Sequence, residues 1–355
     1  MVQCFTAGGI IIDNVAAADG RVRRGQMGGN AIYSAAGARL WVDAVGVVGV
    51  VPRNYPARWL DAARAAGLDL DGVHEADEEV FSSEWFFYKP DGARTDHLHA
   101  DEGAFERFGL AGDRISAADA ARFMAWMRAQ PDPPAGFGAF RRRNPVLPAQ
   151  VPAAYAAAFG AHLGANLPDA QRRMAEDLTG RGLVVTLDPG SNAAAMAPDV
   201  AQGRLPPMAA FLPSETEAAA LVGPLAPEIA AARLVASGAP LVALKLGSRG
   251  ALLAGRDLPR PVAIPVAPVR AIDPTGAGDA FCGGFLAGLV RTHDPVAAAC
   301  LGAVSASFAV EDFGPWRLLG ADRREARARL LALAARLPHD AAATAAPAIQ
   351  QLLRD

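Results

Sequence analysis

Cysteine is scarce in this chain. Its 355 residues hold three, Cys4, Cys282 and Cys300. An odd, widely spaced set without Cys-x-x-Cys excludes a disulfide framework and a structural zinc site, and it suits a reducing cytoplasm. An excess of charge of one sign is also lacking: 34 Lys and Arg face 37 Asp and Glu, for a formal net charge of −3. That balance offers no electrostatic case for nucleic acid or an anionic membrane as partner. The triplet Arg141-Arg142-Arg143 stands alone in a net-acidic chain and reads as part of a solvated loop. No run of about 18 or more apolar residues suggests a membrane span. Residues Met1 to Gly9 lack the basic segment that opens a signal peptide. No internal repeat is visible. A Gly-x-x-x-x-Gly-Lys-Ser/Thr phosphate loop is absent as well, which removes the P-loop enzymes.

What is present is a large apolar reserve, 52% of residues, enough for one large α/β domain or two smaller ones. Short apolar runs alternate with helical patterns. Strands are predicted at Phe5–Ile12, Val42–Val50, Leu183–Leu187, Ala209–Leu212 and Leu241–Leu246. Helices are predicted at Asn30–Trp41, Pro56–Ala66, Pro168–Thr179, Glu215–Val222, Glu228–Ser237 and Pro295–Ala309. Such alternation predicts a mainly parallel sheet between two layers of helices. Two segments break it. Asp13–Gln26 is polar, and Val80–His99 carries Trp85-Phe86-Phe87-Tyr88 before a Pro-Asp-Gly turn, as a hairpin would. Together they are expected to form a small sheet that closes over the carboxyl ends of the main strands. Pro131–Pro152 reads as a long surface loop, Ala321–Leu337 as an amphipathic helix, and residues 338–355 as a C-terminal tail.

The most specific stretch is Asp273-Pro-Thr-Gly-Ala-Gly-Asp279-Ala-Phe-Cys-Gly-Gly284, followed at once by an apolar helical run. Small residues let backbone amides approach an anion, and the helix start adds unsatisfied N–H groups and a positive dipole end. Asp279 sits among these donors, where a carboxylate could accept a proton from an attacking hydroxyl. An anion cradle with a base inside it points to phosphoryl transfer. The dinucleotide fingerprint fails here, because it would need Gly where Phe281 stands.

This stretch resembles the C-terminal signature of the ribokinase-like (PfkB) carbohydrate kinases. The resemblance implies a three-layer α/β/α fold with a small β lid, over a kinase domain of residues 1–337. It implies that Asp279 is the catalytic base and that Gly276, Ala277 and Gly278 form an anion hole for the transferred phosphoryl group. Gly28-Gly29-Asn30 reads alone as a flexible loop and an N-cap for the next helix; the resemblance makes it a substrate-binding lid hinge, and makes Asp13 the acceptor for substrate hydroxyls. Ser214-Glu215-Thr216-Glu217 is a capping box by spacing. In the family, an Asn-x-x-Glu motif here orders Mg²⁺ through water, with Glu217 as its Glu and Ser214 a departure from its Asn. Lys245, Gly247 and Gly250 read alone as a strand end and turn, and by resemblance line the ATP site. Asp273 corresponds to a residue that helps bind a monovalent cation, K⁺ among them. Many relatives dimerise through the lid, for which the aromatic run 85–88 offers a surface, although it could equally pack on its own domain.

The expected activity is ATP- and Mg²⁺-dependent phosphorylation of a hydroxyl on a sugar or sugar-like molecule. A nucleoside kinase of the same superfamily would share every residue named. A non-catalytic ligand-binding homologue is opposed by the intact Asp279 loop. His97-Leu98-His99 with its flanking carboxylates evokes a metal-dependent hydrolase, but His74, His162, His293 and His339 lie in no context that would complete such a site.

Overall fold

The structure, a computed structural model, describes residues 1–89, 94–97, 103–130 and 136–354. Strands β1 Cys4–Ala7, β2 Ile11–Ala16, β3 Val22–Gly28, β4 Val45–Pro52, β5 Leu68–Ala76, β6 Ser83–Tyr88 and β7 Arg94–His97 precede the midpoint. β8 Gly160–Leu163, β9 Val184–Leu187, β10 Ala210–Phe211, β11 Leu241–Lys245, β12 Ala251–Gly255 and β13 Val262–Ile264 follow it. Nine of them form one sheet in the order β13-β12-β11-β10-β9-β8-β1-β4-β5. Pairing is parallel from β11 through to β5, and antiparallel among β11, β12 and β13. Helices cover both faces. β4, Val-Gly-Val-Val-Gly-Val-Val-Pro, is buried at every position, as a strand sandwiched between helix layers must be.

The stretch predicted as one strand at Phe5–Ile12 divides. Gly8 and Gly9 break it, and the chain leaves the main sheet to start a second one. This lid has the order β3-β2-β6-β7, with β2 and β6 parallel and its other pairs antiparallel. It is built from the two segments expected to form it, but its outer face is not bare. Trp85 and Phe87 point away from the domain into a cluster with Phe105, Phe123 and Met127. The helix Ala117–Arg128 carries Phe123 and Met127 on its buried side. Trp85 is fully enclosed, with the Phe123 ring edge-on at 4.9 Å and the Phe105 ring stacked at 5.7 Å. Phe86 and Tyr88 belong to the opposite face and pack into the main core. The aromatic run is therefore buried within its own chain, Trp85 and Phe87 under these helices and Phe86 and Tyr88 in the main core.

Three further segments differ from expectation. The loop predicted at Pro131–Pro152 contains a helix, Phe137–Arg143, which buries Phe137 and Phe140. The segment read as a tail is a helix, His339–Arg354, whose Ala341, Ala345, Ile349 and Leu352 join the main core. The strands β5, β8, β12 and β13 have no counterpart among the predicted ones, being short or only partly apolar. Among the described residues no single helix is long and apolar enough to cross a membrane.

Candidate active site

The signature folds as a turn and a helix, Ala277–Thr292. Gly276 is the N-cap with φ +72°, a left-handed conformation that side chains other than glycine rarely adopt. A Cβ there would also meet the Tyr33 ring at 2.2 Å. The helix is clamped from behind by the helix Asn30–Arg39. A Cβ on Gly283 would lie 1.7 Å from the Ser34 carbonyl, so only glycine permits that approach. This close packing fixes the helix start, and with it the amides of its first turn and Asp279. Ala277 N is already used in a turn bond to Pro274 O at 3.2 Å. The remaining first-turn amides have no intrahelical acceptor, as at any helix start, the kind of place where anions bind.

Asp279 is half-buried in this first turn. Its carboxyl is pushed up to about 7, mainly by burial and next by the negative charge of Asp188, with Lys245 pulling the other way. A carboxyl held near neutrality suits a general base at neutral pH. Close by lies a buried ion pair between Lys245, at the end of β11, and Asp188, at the end of β9. Burial alone would lower the lysine, but Asp188, with Cys282, Glu217 and Asp279 behind it, more than offsets that and holds the ammonium charged. Asp188 in turn is held below the usual carboxylate range by Lys245. The lysine Nζ would be 3.5 Å from a Cβ on Gly278, so a fixed positive charge stands beside the anion turn. A buried lysine needs a partner, and Asp188 supplies it. Sequence reasoning missed Asp188. The Leu187-Asp-Pro-Gly190 turn at a strand end was the available sign.

Glu217 takes the capping-box role that its spacing predicts. Its carboxyl accepts from Ser214 N at 2.6 Å, and Ser214 Oγ accepts from Glu217 N at 3.3 Å. Burial, then Asp188, raises its pKa, which places it in the same electrostatic field as the ion pair. Gly247 and Gly250 both have positive φ and close the turn after β11. Gly247 has open space on its Cβ side, as a loop facing a ligand needs.

On the lid side, Asp13 is buried, and neither carboxylate oxygen has a hydrogen-bond partner. Its pKa is driven well above the usual range, first by burial and then by Glu84 and Asp273. An orphaned buried carboxyl is costly unless a ligand completes it. It lies over Gly28, where a Cβ would be 1.9 Å from Oδ2. The Tyr33 hydroxyl stands next to it, short of hydrogen-bond geometry. Tyr33, absent from the sequence-based site, thus neighbours both Asp13 and Gly276. Asn30 is not the N-cap: Gly29, with φ +97°, holds that position. Asn30 instead accepts from Gly9 N at 2.9 Å and ties the lid break to the helix.

Asp273 forms an Asx turn, Oδ1 accepting from Thr275 N at 2.9 Å and from Thr275 Oγ1 at 2.6 Å. The Thr275 hydroxyl also meets the Tyr88 hydroxyl of the lid at 2.9 Å. Asp273 Oδ2 is buried without a partner, and burial raises the carboxyl to about 6. The structure brings Asp13, Gly28, Asp273, Gly276–Gly278, Asp279, Lys245 and Glu217 to one end of the sheet. His97 contributes a backbone pair to Trp85, while His99 lies outside the described residues. Among the described residues no cluster of three or more His, Cys, Asp or Glu side chains could hold a metal. A separate cleft of about 330 Å³, lined by Gln3, Trp41, Phe159, Arg291, Arg323 and Leu352, opens at the other end of the sheet, away from this chemistry.

Residues 168–317 match the pfkB family carbohydrate kinase. A cytidine kinase of Thermococcus kodakarensis is 25% identical over 90% of this chain and 99% of its own length. The fold is that of a Burkholderia thailandensis nucleoside kinase solved with inosine, with TM-score 0.66, 19% identity, and coverage of 94% of this chain and 100% of that one. A Vibrio cholerae fructokinase solved with fructose, ADP and calcium ion is similar as well, with TM-score 0.63, 17% identity, and coverage of 94% and 99%.

Proposed function

We propose, from the pfkB family match over residues 168–317 and the ribokinase-type fold, that the chain transfers the γ-phosphoryl group of ATP to a hydroxyl of a sugar or sugar-like molecule. One observation carries this reading. Tyr33 packs on Gly276 and stands beside Asp13, so a hydroxylated substrate held by Asp13 lies across one ring from the anion turn and its carboxylate.

In this reading the substrate donates hydroxyl hydrogen bonds to the empty oxygens of Asp13, which then no longer sits buried and unpaired. Asp279 accepts the proton of the attacking hydroxyl. The first-turn amides and the Lys245 ammonium receive the charge that spreads over the phosphoryl oxygens. ATP lies along the turn Gly247–Gly250. Mg²⁺, when bound on the phosphates, would neutralise their charge; Glu217, whose Oε2 is engaged by Ser214 N, fits contact through its waters, while both Asp188 oxygens already have partners in Lys245 and Gly190 N. Asp273 Oδ2, buried and unpaired, is the oxygen that a monovalent cation would take. The lid expels water that would otherwise accept phosphate.

A nucleoside as acceptor is the second reading. It is favoured by the relative that aligns over nearly its whole length, a cytidine kinase. A coupled ADP-release assay over sugars and nucleosides tests both. Absence of ADP release with every acceptor, or near-normal turnover by Asp279→Asn, would end the kinase proposal.

A further inference from the structure

The inner face of the lid and the helix Phe137–Arg143 bring two side chains together that the mechanism does not use. Glu84 is the register partner of Asp13 across β2 and β6, so the two carboxyls lie side by side on the inner face. Burial, and after it the Asp96 carboxylate, raises Glu84 to about 7, against the opposing positive charges of Arg94 and Arg141. Arg141, first of the triplet read as a solvated loop, turns inward. Its Nη2 donates to Ala165 O at 3.1 Å, in the loop after β8. That loop borders the substrate end of the site: a Cβ on Gly164 would meet Asn30 Oδ1 at 2.6 Å. Burial disfavours the Arg141 charge, which Glu84 only partly supports. The two groups form no ion pair within 4 Å. Arg143, by contrast, pairs with Glu78 on the outside.

A guanidinium keeps its charge and has five N–H donors. With Ala165 O as its one hydrogen-bond acceptor among the described residues, Arg141 requires others. A carboxylate or phosphate on the substrate would supply them, but Glu84, Asp273 and Asp279 already raise the Asp13 carboxyl in this cleft, and a further anion would add to that repulsion. A neutral group with an acceptor toward Arg141 and a donor toward Glu84 satisfies both side chains and adds no charge.

We infer that Glu84 and Arg141 read a neutral donor–acceptor edge on the acceptor molecule, the chemistry of a nucleobase, and so select a nucleoside over a free sugar or a sugar acid. This rests on the kinase reading above and gives its substrate class.

The experiment uses the full chain with Mg-ATP and measures ADP release with cytidine, uridine, inosine and adenosine against ribose, methyl β-riboside and ribonate. At least one nucleoside is expected to surpass methyl β-riboside in kcat/KM by about 100-fold or more. Arg141→Met and Glu84→Gln should each lower the nucleoside-to-ribose ratio of kcat/KM by about 10- to 100-fold, chiefly through KM. Arg141→Lys should recover part of the ratio if the proteins are otherwise intact. Preference for ribose or ribonate, or variants that depress every acceptor equally, overturns the inference and leaves the kinase reading in place. No ADP from any acceptor defeats the kinase reading itself, and this inference with it.

Discussion

Replacing Asp279 by Asn should remove activity and stabilise the fold, and the stabilisation should grow with pH. The carboxyl has a pKa of about 7 in the folded chain against 3.8 for an unperturbed aspartate. That rise of about three units corresponds to about 4 kcal/mol of ionisation penalty, at 1.36 kcal/mol per unit. A carboxyl whose folded pKa is raised favours the folded state fully only below its unfolded value. The advantage then declines as pH climbs, and is gone once pH passes the folded value. Relative to neutral Asn, the wild-type Asp should therefore cost almost nothing at pH 3.5, about 1.5 kcal/mol at pH 5 and about 4 kcal/mol at pH 8. These are upper values, since the neighbouring Lys245 and Asp188 can readjust. Urea unfolding of both proteins at pH 5 and pH 8, with equal m-values, reads the difference directly. Turnover of Asp279→Asn should fall by about 100- to 10,000-fold. Equal stability gaps at the two pH values, or an Asn variant that is the less stable at pH 8, would refute the idea that Asp279 is a desolvated base.

Wild-type kcat/KM should rise with pH and level off near 7, with a unit slope on the acid side, because Asp279 must be ionised to accept a proton; a flat profile between pH 5 and 7 would contradict that role. Gly28→Ala places a Cβ on the Asp13 carboxyl and should raise the acceptor KM by about 10-fold or more with little effect on ATP affinity, measured by initial rates. Lys245→Met leaves Asp188 buried and unpaired. It should cost about 3–5 kcal/mol in denaturant unfolding, whereas the double change with Asp188→Asn should recover much of that loss. Trp85→Ala should cost about 3–5 kcal/mol from the cavity it opens beneath Phe123, again by denaturant unfolding.

Much of this molecule is readable from its sequence. Glu215–Val222 begins and ends where its capping box and Gly223 put it, since those signals are local. The Asp273–Gly284 stretch announces its chemistry because turn, helix start and carboxylate are contiguous. What stays hidden is assembled from afar. Asp188 and Lys245 come from two strand ends 57 residues apart and meet only when the sheet forms. Tyr33 looks like an ordinary helical aromatic until Gly276 is placed against it. Arg141 and Arg143 have the same local sequence character, yet one faces inward and the other outward, because Phe137 and Phe140 orient their helix. The strand predicted at Phe5–Ile12 has continuous apolar character, and only tertiary context turns Gly8-Gly9 into an exit to the lid.

The helices over Trp85 and Phe87 also bear on how the protein behaves on dilution. A lid whose outer side is covered by a second subunit loses that cover by mass action as protein concentration falls. Here the cover is tethered to the lid in the same chain, so its local concentration is constant. Specific activity should then be the same at nanomolar and micromolar enzyme.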